Sequence, residues 1–114
     1  MQHDVDLESW LVNIGGEIID IKSSQGLAAL TPLQIAIYNL WLIDYAVRNS
    51  GSFGPLEDME SDAIAALLNY SSSNHMPALA TWLAQATDEE AFCNNYYDHF
   101  PGACLELKQR CAGT

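Results

Sequence analysis

Six side chains carry the types that nucleophilic or metal chemistry needs: His3, His75, His99, Cys93, Cys104 and Cys111. A catalytic cysteine needs a base within hydrogen-bond reach. Cys93 and His99 stand six apart, on different faces of a helix, and His75 can meet a cysteine only through tertiary packing. A structural zinc site shows ligands paired at close spacing, and these six are dispersed. An EF-hand needs acids at alternate positions around a central glycine. Glu57-Asp58-Met59-Glu60-Ser61-Asp62 has acids without that frame. The sequence therefore predicts no catalytic centre, no metal site and no cofactor, and the chain is read as a binding protein and not an enzyme.

Carboxylates are the abundant chemistry. The 114 residues hold 15 acids against 4 bases, for a net charge of -11. Such an imbalance repels nucleic acid and anionic membrane and attracts basic proteins and cations. The charge is uneven: residues 1–90 carry all of it, with Lys22 and Arg48 as their only bases. Two acidic runs stand out, Glu57, Asp58, Glu60 and Asp62, then Asp88, Glu89 and Glu90. Acids at a helix start gain roughly 0.3–1 kcal/mol each from the dipole, which accounts for one or two of them. Four in six residues repel one another, so a binding surface competes with a solvated face as the reading. Asp44 differs, because it sits inside an apolar helix. It lies on a wet stripe or pairs with Arg48 four residues on, or it has a partner-binding or buried polar role.

These residues need elements to position them. Leu7, Trp10, Leu11, Ile14, Ile18 and Ile21 recur at three and four, a helical face, with Asp6 as its cap. Gly15-Gly16 in its middle predicts a kink or a close helix approach. Thr31-Pro32 is a strong start signal, an N-cap followed by proline. The helix after it runs to Asn49, apolar over most of its circumference, and is read as central. Asp58 or Ser61 caps the next helix, which runs through Tyr70. Asn74 caps another, with Pro77 in its first turn. Thr87 to Glu90 fits a capping box, and the helix after it is stopped by Pro101-Gly102. Ala103 to Cys111 forms a last short helix. No segment alternates as a strand would.

The expected fold is all-α, one domain spanning residues 1–114, built as a single compact bundle of about five to six short helices. The length suits one domain, burying roughly 65% of its unfolded surface. The N-terminus has neither a basic nor an apolar region of the signal-peptide kind, and no run approaches the roughly 20 apolar residues of a membrane span. A cytoplasmic protein with reduced thiols is expected, its cysteines acting as small hydrophobes. Cys104 and Cys111 lie about 10 Å apart along a helix, at ~1.5 Å per residue, too far to bridge. Pairing of Cys93 with either is left open.

Trp41, Asp44 and Val47 precede Asn49-Ser50-Gly51-Ser52-Phe53. This stretch resembles a family of small helical domains in which a helix with an acid near its end runs into an N-N-G-G-F signature. One member is an acidic protein that mimics DNA. Asn49, Gly51 and Phe53 match the signature. Arg48 is an extra residue, and Gly54-Pro55-Leu56 replaces the aromatic pair that follows it. The resemblance implies an all-α fold, a helix end made by left-handed Asn49 and Gly51, and Phe53 folded back onto the core.

The function expected is that of a small acidic inhibitor of a basic partner, an immunity or antitoxin protein that neutralises a toxin such as a nuclease. Its carboxylates would steer and dock onto lysines and arginines. The candidate contacts are Asp44, Glu57, Asp58, Glu60, Asp62, Asp88, Glu89 and Glu90, with Phe53 or Tyr70 as aromatic anchor. A DNA-mimic regulator of a nucleic-acid-binding protein is the close alternative. A non-catalytic helical subunit of a larger assembly, or a homo-oligomer, is the more distant one.

Overall fold

The computed structural model describes the backbone of residues 2–59 and 62–112, and the side chains of 7–57 and 62–111. Within these residues the fold is all-α, with seven α-helices, two single-turn 3-10 helices and no strand. The helices are α1 (Gln2–Gln25), α2 (Pro32–Ser50), α3 (Gly54–Met59), α4 (Ala63–Ser73), α5 (Pro77–Ala84), α6 (Glu89–Asn94) and α7 (Tyr96–Ala112). Five span eight residues or more and two are six-residue helices. The 3-10 turns cover Leu27–Ala29 and Gln85–Thr87.

The apolar circumference of α2 makes it the hub, packed against α1, α3, α4 and α7. Ile37, Leu40, Leu42, Ile43, Ala46 and Val47 are buried on it. Burying a large aliphatic side chain contributes about 1.5–3 kcal/mol, so this helix organises the core. Its ends are locally encoded. The Thr31 hydroxyl accepts from Gln34 N–H (3.1 Å) and the Gln34 carboxamide accepts from Thr31 N–H (2.8 Å), a reciprocal capping box. Gly51 closes the other end in the left-handed conformation, with φ 64°. Asn49 stays helical, so only one of the two signature residues turns left-handed.

The glycine pair in α1 marks a close approach. A Cβ on Gly15 would lie 2.3 Å from Trp41 Cδ1, whereas one on Gly16 would meet nothing within 4 Å. The indole of α2 therefore lies directly on the α1 backbone. Among the described residues α1 continues through both glycines without a break.

Several helix boundaries fall elsewhere than the sequence predicts. Helix α1 already runs from Gln2, so Asp6 is inside it and its side chain is outside the described residues. Gly54–Met59 is a helix of its own, and α4 starts after Asp62, which makes no side-chain cap. Ser61 lies outside the described residues. Asn74 ends α4 and does not start α5: its Nδ2 donates back to the Tyr70 carbonyl (2.8 Å), and left-handed His75 (φ 58°) completes the stop. Asp88, not Thr87, caps α6, accepting from Ala91 N–H (3.1 Å), which places Glu90 one position too early for the predicted box. The helix break comes at Asn95, and Pro101 lies inside α7. Proline there forfeits one backbone bond, outweighed by burial of Phe100, Ala103, Cys104 and Leu107 on that helix.

Helices α5, α6 and α7 meet through aromatic rings. Trp82 stacks on Phe92 (4.9 Å between centroids) and touches Tyr96 (5.3 Å), while Tyr96 stacks on Phe100 (5.5 Å). Such pairs add about 0.5–1.5 kcal/mol each beyond buried area.

Candidate functional site

Asp44 is an interior acid. It is 5% exposed, and its Oδ1 accepts from the Tyr96 hydroxyl and from Arg48 Nε, both at 2.6 Å. Arg48 also faces Glu8 (3.4 Å) and lies over the rings of Tyr97 (4.8 Å) and Phe100 (4.9 Å). A buried carboxylate persists when paired and hydrogen-bonded. The helical i,i+4 spacing supplies Arg48, and α7 brings the phenol. Burial works against the Arg48 charge, but the hydrogen bond and charge of Asp44, with Glu8 and Tyr96 adding to them, hold its pKa above the usual value. Burial, then the Asp44 charge and hydrogen bond, push the Tyr96 phenol well above its usual range, against the opposing effect of Arg48. Of the roles open to Asp44, the structure gives the Arg48 pair and the buried polar place, not the wet stripe. Asp44 thereby leaves the set of surface contacts.

Five of the remaining candidate acids stand outward. Glu57, Asp62, Asp88, Glu89 and Glu90 are exposed. The side chain of Asp58 and all of Glu60 lie outside the described residues. One relationship joins the two acidic runs. Phe53, just before α3, donates its N–H to Glu89 Oε2 (3.0 Å), and its ring packs edge-on against Phe92 of α6 (5.3 Å). The start of α3, which carries Glu57, is thereby tied to the start of α6, which carries Asp88, Glu89 and Glu90. Phe53 is half-buried against the core and is covered on its α6 side.

Tyr70, the other anchor candidate, is half-buried on α4. It lines a cleft of about 320 Å³ between α2 and α4, with Pro32, Ile35, Ala36, Asn39, Ala66, Asn69, Ser73 and Asn74. None of the described acids at α3 and α6 lines this cleft with it. A second depression, of about 420 Å³, is lined by Ser71, Ser72, His75, Met76, Pro77 and Ala80.

The cysteines are thiols. Cys104 is buried, with Sγ 3.8 Å from the Leu7 carbonyl. Burial, and then the charge of Glu89, push the Cys93 thiol up. A thiol so shifted is a poorer nucleophile at neutral pH. Among the described residues, no three His, Cys, Asp or Glu side chains converge as a metal-ligand set, and no helix is long and apolar enough to cross a membrane.

Two polar residues escaped sequence reasoning. Glu106 of α7 accepts from Ala78 N–H (3.0 Å) and Leu79 N–H (2.8 Å), capping α5 from another helix. No local pattern announces it. Asn39 is buried in α2, and its signal is the one that drew attention to Asp44: a polar residue in an apolar helix.

Comparison with protein-family models, curated proteins and solved structures finds no match.

Proposed function

We propose that this chain is a small acidic binding protein that inhibits a basic partner, in the manner of an immunity or antitoxin protein neutralising a toxin such as a nuclease. The observation that supports it is the pairing of the two acidic runs. A chain of net charge -11 has its α3 and α6 starts joined by the Phe53–Glu89 hydrogen bond, with Glu57, Asp88, Glu89 and Glu90 exposed there. A face of one sign speeds encounter with an oppositely charged partner and selects against acidic ones. Asp62 adds to this charge at the start of α4.

A second reading within the same class is a DNA mimic that occupies a nucleic-acid-binding protein. The corner Asn49-x-Gly51-x-Phe53 favours it, with Gly51 left-handed and Phe53 packed on Phe92.

The test begins with the tagged chain in an extract of its host, at low and then moderate salt, with captured proteins identified by mass spectrometry. The captured protein is then purified, and its activity and its association rate with this chain are measured. The expected result is one stoichiometric basic protein whose activity is blocked and whose release follows rising salt. A charge-reversed variant, Glu57→Lys with Asp62→Lys, Asp88→Lys and Glu90→Lys, is expected to slow association by about tenfold or more. Unchanged association on charge reversal, or a neutral assembly that survives salt, would overturn the proposal and favour a helical subunit.

A further inference from the structure

The cleft between α2 and α4 is lined by an asparagine whose side chain binds no other group among the described residues. Asn39 is 5% exposed and lines the cleft; its side chain makes no hydrogen bond to the described residues, and what remains accessible of it includes its amide atoms, which reach solvent. Other asparagines satisfy themselves locally. The Nδ2 groups of Asn49, Asn74 and Asn95 each donate to the carbonyl four residues earlier, at 2.8, 2.8 and 3.0 Å. Asn39 does not do the same with Ile35. An amide open to a cleft can bond to water or to a ligand, and here it adds no hydrogen bond within the described fold.

The rest of the cleft defines what would fit. Ala36 and Ala66 are too short to fill the space between the two helices, and Ile35, Pro32 and the Tyr70 ring give it apolar walls. No charged side chain lines it. A mostly apolar cavity with a small number of placed polar groups is the usual form of a small-molecule site. A carboxamide offers a donor and an acceptor side by side, and its complement is another planar group with the same pair reversed.

We infer that the α2–α4 cleft is a binding site for a small, uncharged, amide-bearing molecule with an apolar ring, read by the Asn39 carboxamide. This site is separate from the acidic face and does not depend on the inhibitor proposal.

The probes are benzamide, toluene and benzoate, titrated into the full-length 15N-labelled chain and followed by NMR. The Asn39→Leu variant identifies the Asn39 side-chain NH2 pair by its disappearance. Benzamide is expected to move that pair, together with the backbone amides of Ala66 and Tyr70. It should bind about 3- to 10-fold more tightly than toluene, the worth of one or two neutral hydrogen bonds. Benzoate should bind more weakly than benzamide, because no cation lines the cleft. Asn39→Leu should erase the preference for benzamide over toluene while leaving Tm unchanged or raised. An unmoved Asn39 pair, or equal affinity for benzamide and toluene, would reduce the cleft to an apolar dent filled by solvent. A fall in Tm for Asn39→Leu would show that the amide serves the fold, and would equally overturn the inference.

Discussion

The Tyr96 hydroxyl donates to the Asp44 carboxylate across 2.6 Å, joining α7 to α2 between residues 52 apart in the chain. Asp44 is also held by Arg48, whose guanidinium lies over Tyr97 and Phe100. Acid, base and phenol thus form one unit at the junction of the central helix with the aromatic cluster.

Tyr96→Phe removes one donor from a buried carboxylate and is expected to cost about 1.5–3 kcal/mol. Arg48→Met removes the counter-charge and is expected to cost more, about 3 kcal/mol or above. Asp44→Asn and Tyr96→Phe act on one interaction, so their effects should not add. Urea unfolding of the single and double variants checks all three statements. Independent, additive effects would show that the hydrogen bond contributes little.

The same contact makes stability depend on alkaline pH. Burial and Asp44 raise the Tyr96 pKa above its ordinary value, which is about 10 in the unfolded chain. The folded state then keeps a proton that the unfolded state has released. The stabilisation is complete below about pH 10 and is lost as pH rises through the folded value. Urea midpoints measured on both sides of that pH should fall on the alkaline side. The fall should be shallower in Tyr96→Phe. Equal slopes in the two proteins would assign the alkaline loss to other groups.

The two glycines of α1 should respond in opposite directions to alanine. Gly15→Ala places a Cβ 2.3 Å from the Trp41 ring, so the indole or the helix must shift, at about 1–3 kcal/mol. Gly16→Ala meets nothing within 4 Å and should gain roughly 0.5–1 kcal/mol from helix propensity. Thermal unfolding of the pair decides it, and similar Tm values for both would contradict the close approach.

Removal of the Glu106 carboxylate should loosen α5. Glu106→Ala leaves the N–H groups of Ala78 and Leu79 without their acceptor. The expected cost is about 0.5–2 kcal/mol, as for a lost N-cap. Faster amide exchange at residues 78 and 79, ahead of the rest of the core, is the local signature. Unchanged protection there would mean that α5 is held by packing alone.

Some interactions that close within about four residues were announced by the sequence. Thr31-Pro32 marked the start of α2 and Gly51 its end, because a cap side chain reaches only to its own first turn. The spacing of apolar residues foretold the all-α class and the central place of α2. The same logic misjudged Asn74, Thr87 and Pro101, each an acceptable local signal. Asn74 bonds back to Tyr70 and, with left-handed His75, ends α4 instead of starting α5, and Asp88 takes the cap of α6 from Thr87. At Pro101 burial of the surrounding residues on α7 outweighed one lost backbone bond.

Composition by itself settled the sign and size of the charge, and the period of the apolar residues settled the class of fold. The rest belongs to the tertiary structure. It turned Asp44 inward to meet Tyr96, supplied Glu106 as a cap for a helix 27 residues away, and joined the two acidic runs through Phe53 and Glu89. It also left Asn39 facing a cleft. The physical reason is one of reach. A side chain spans only a turn of its own helix, and which groups meet beyond that is fixed by how the helices pack.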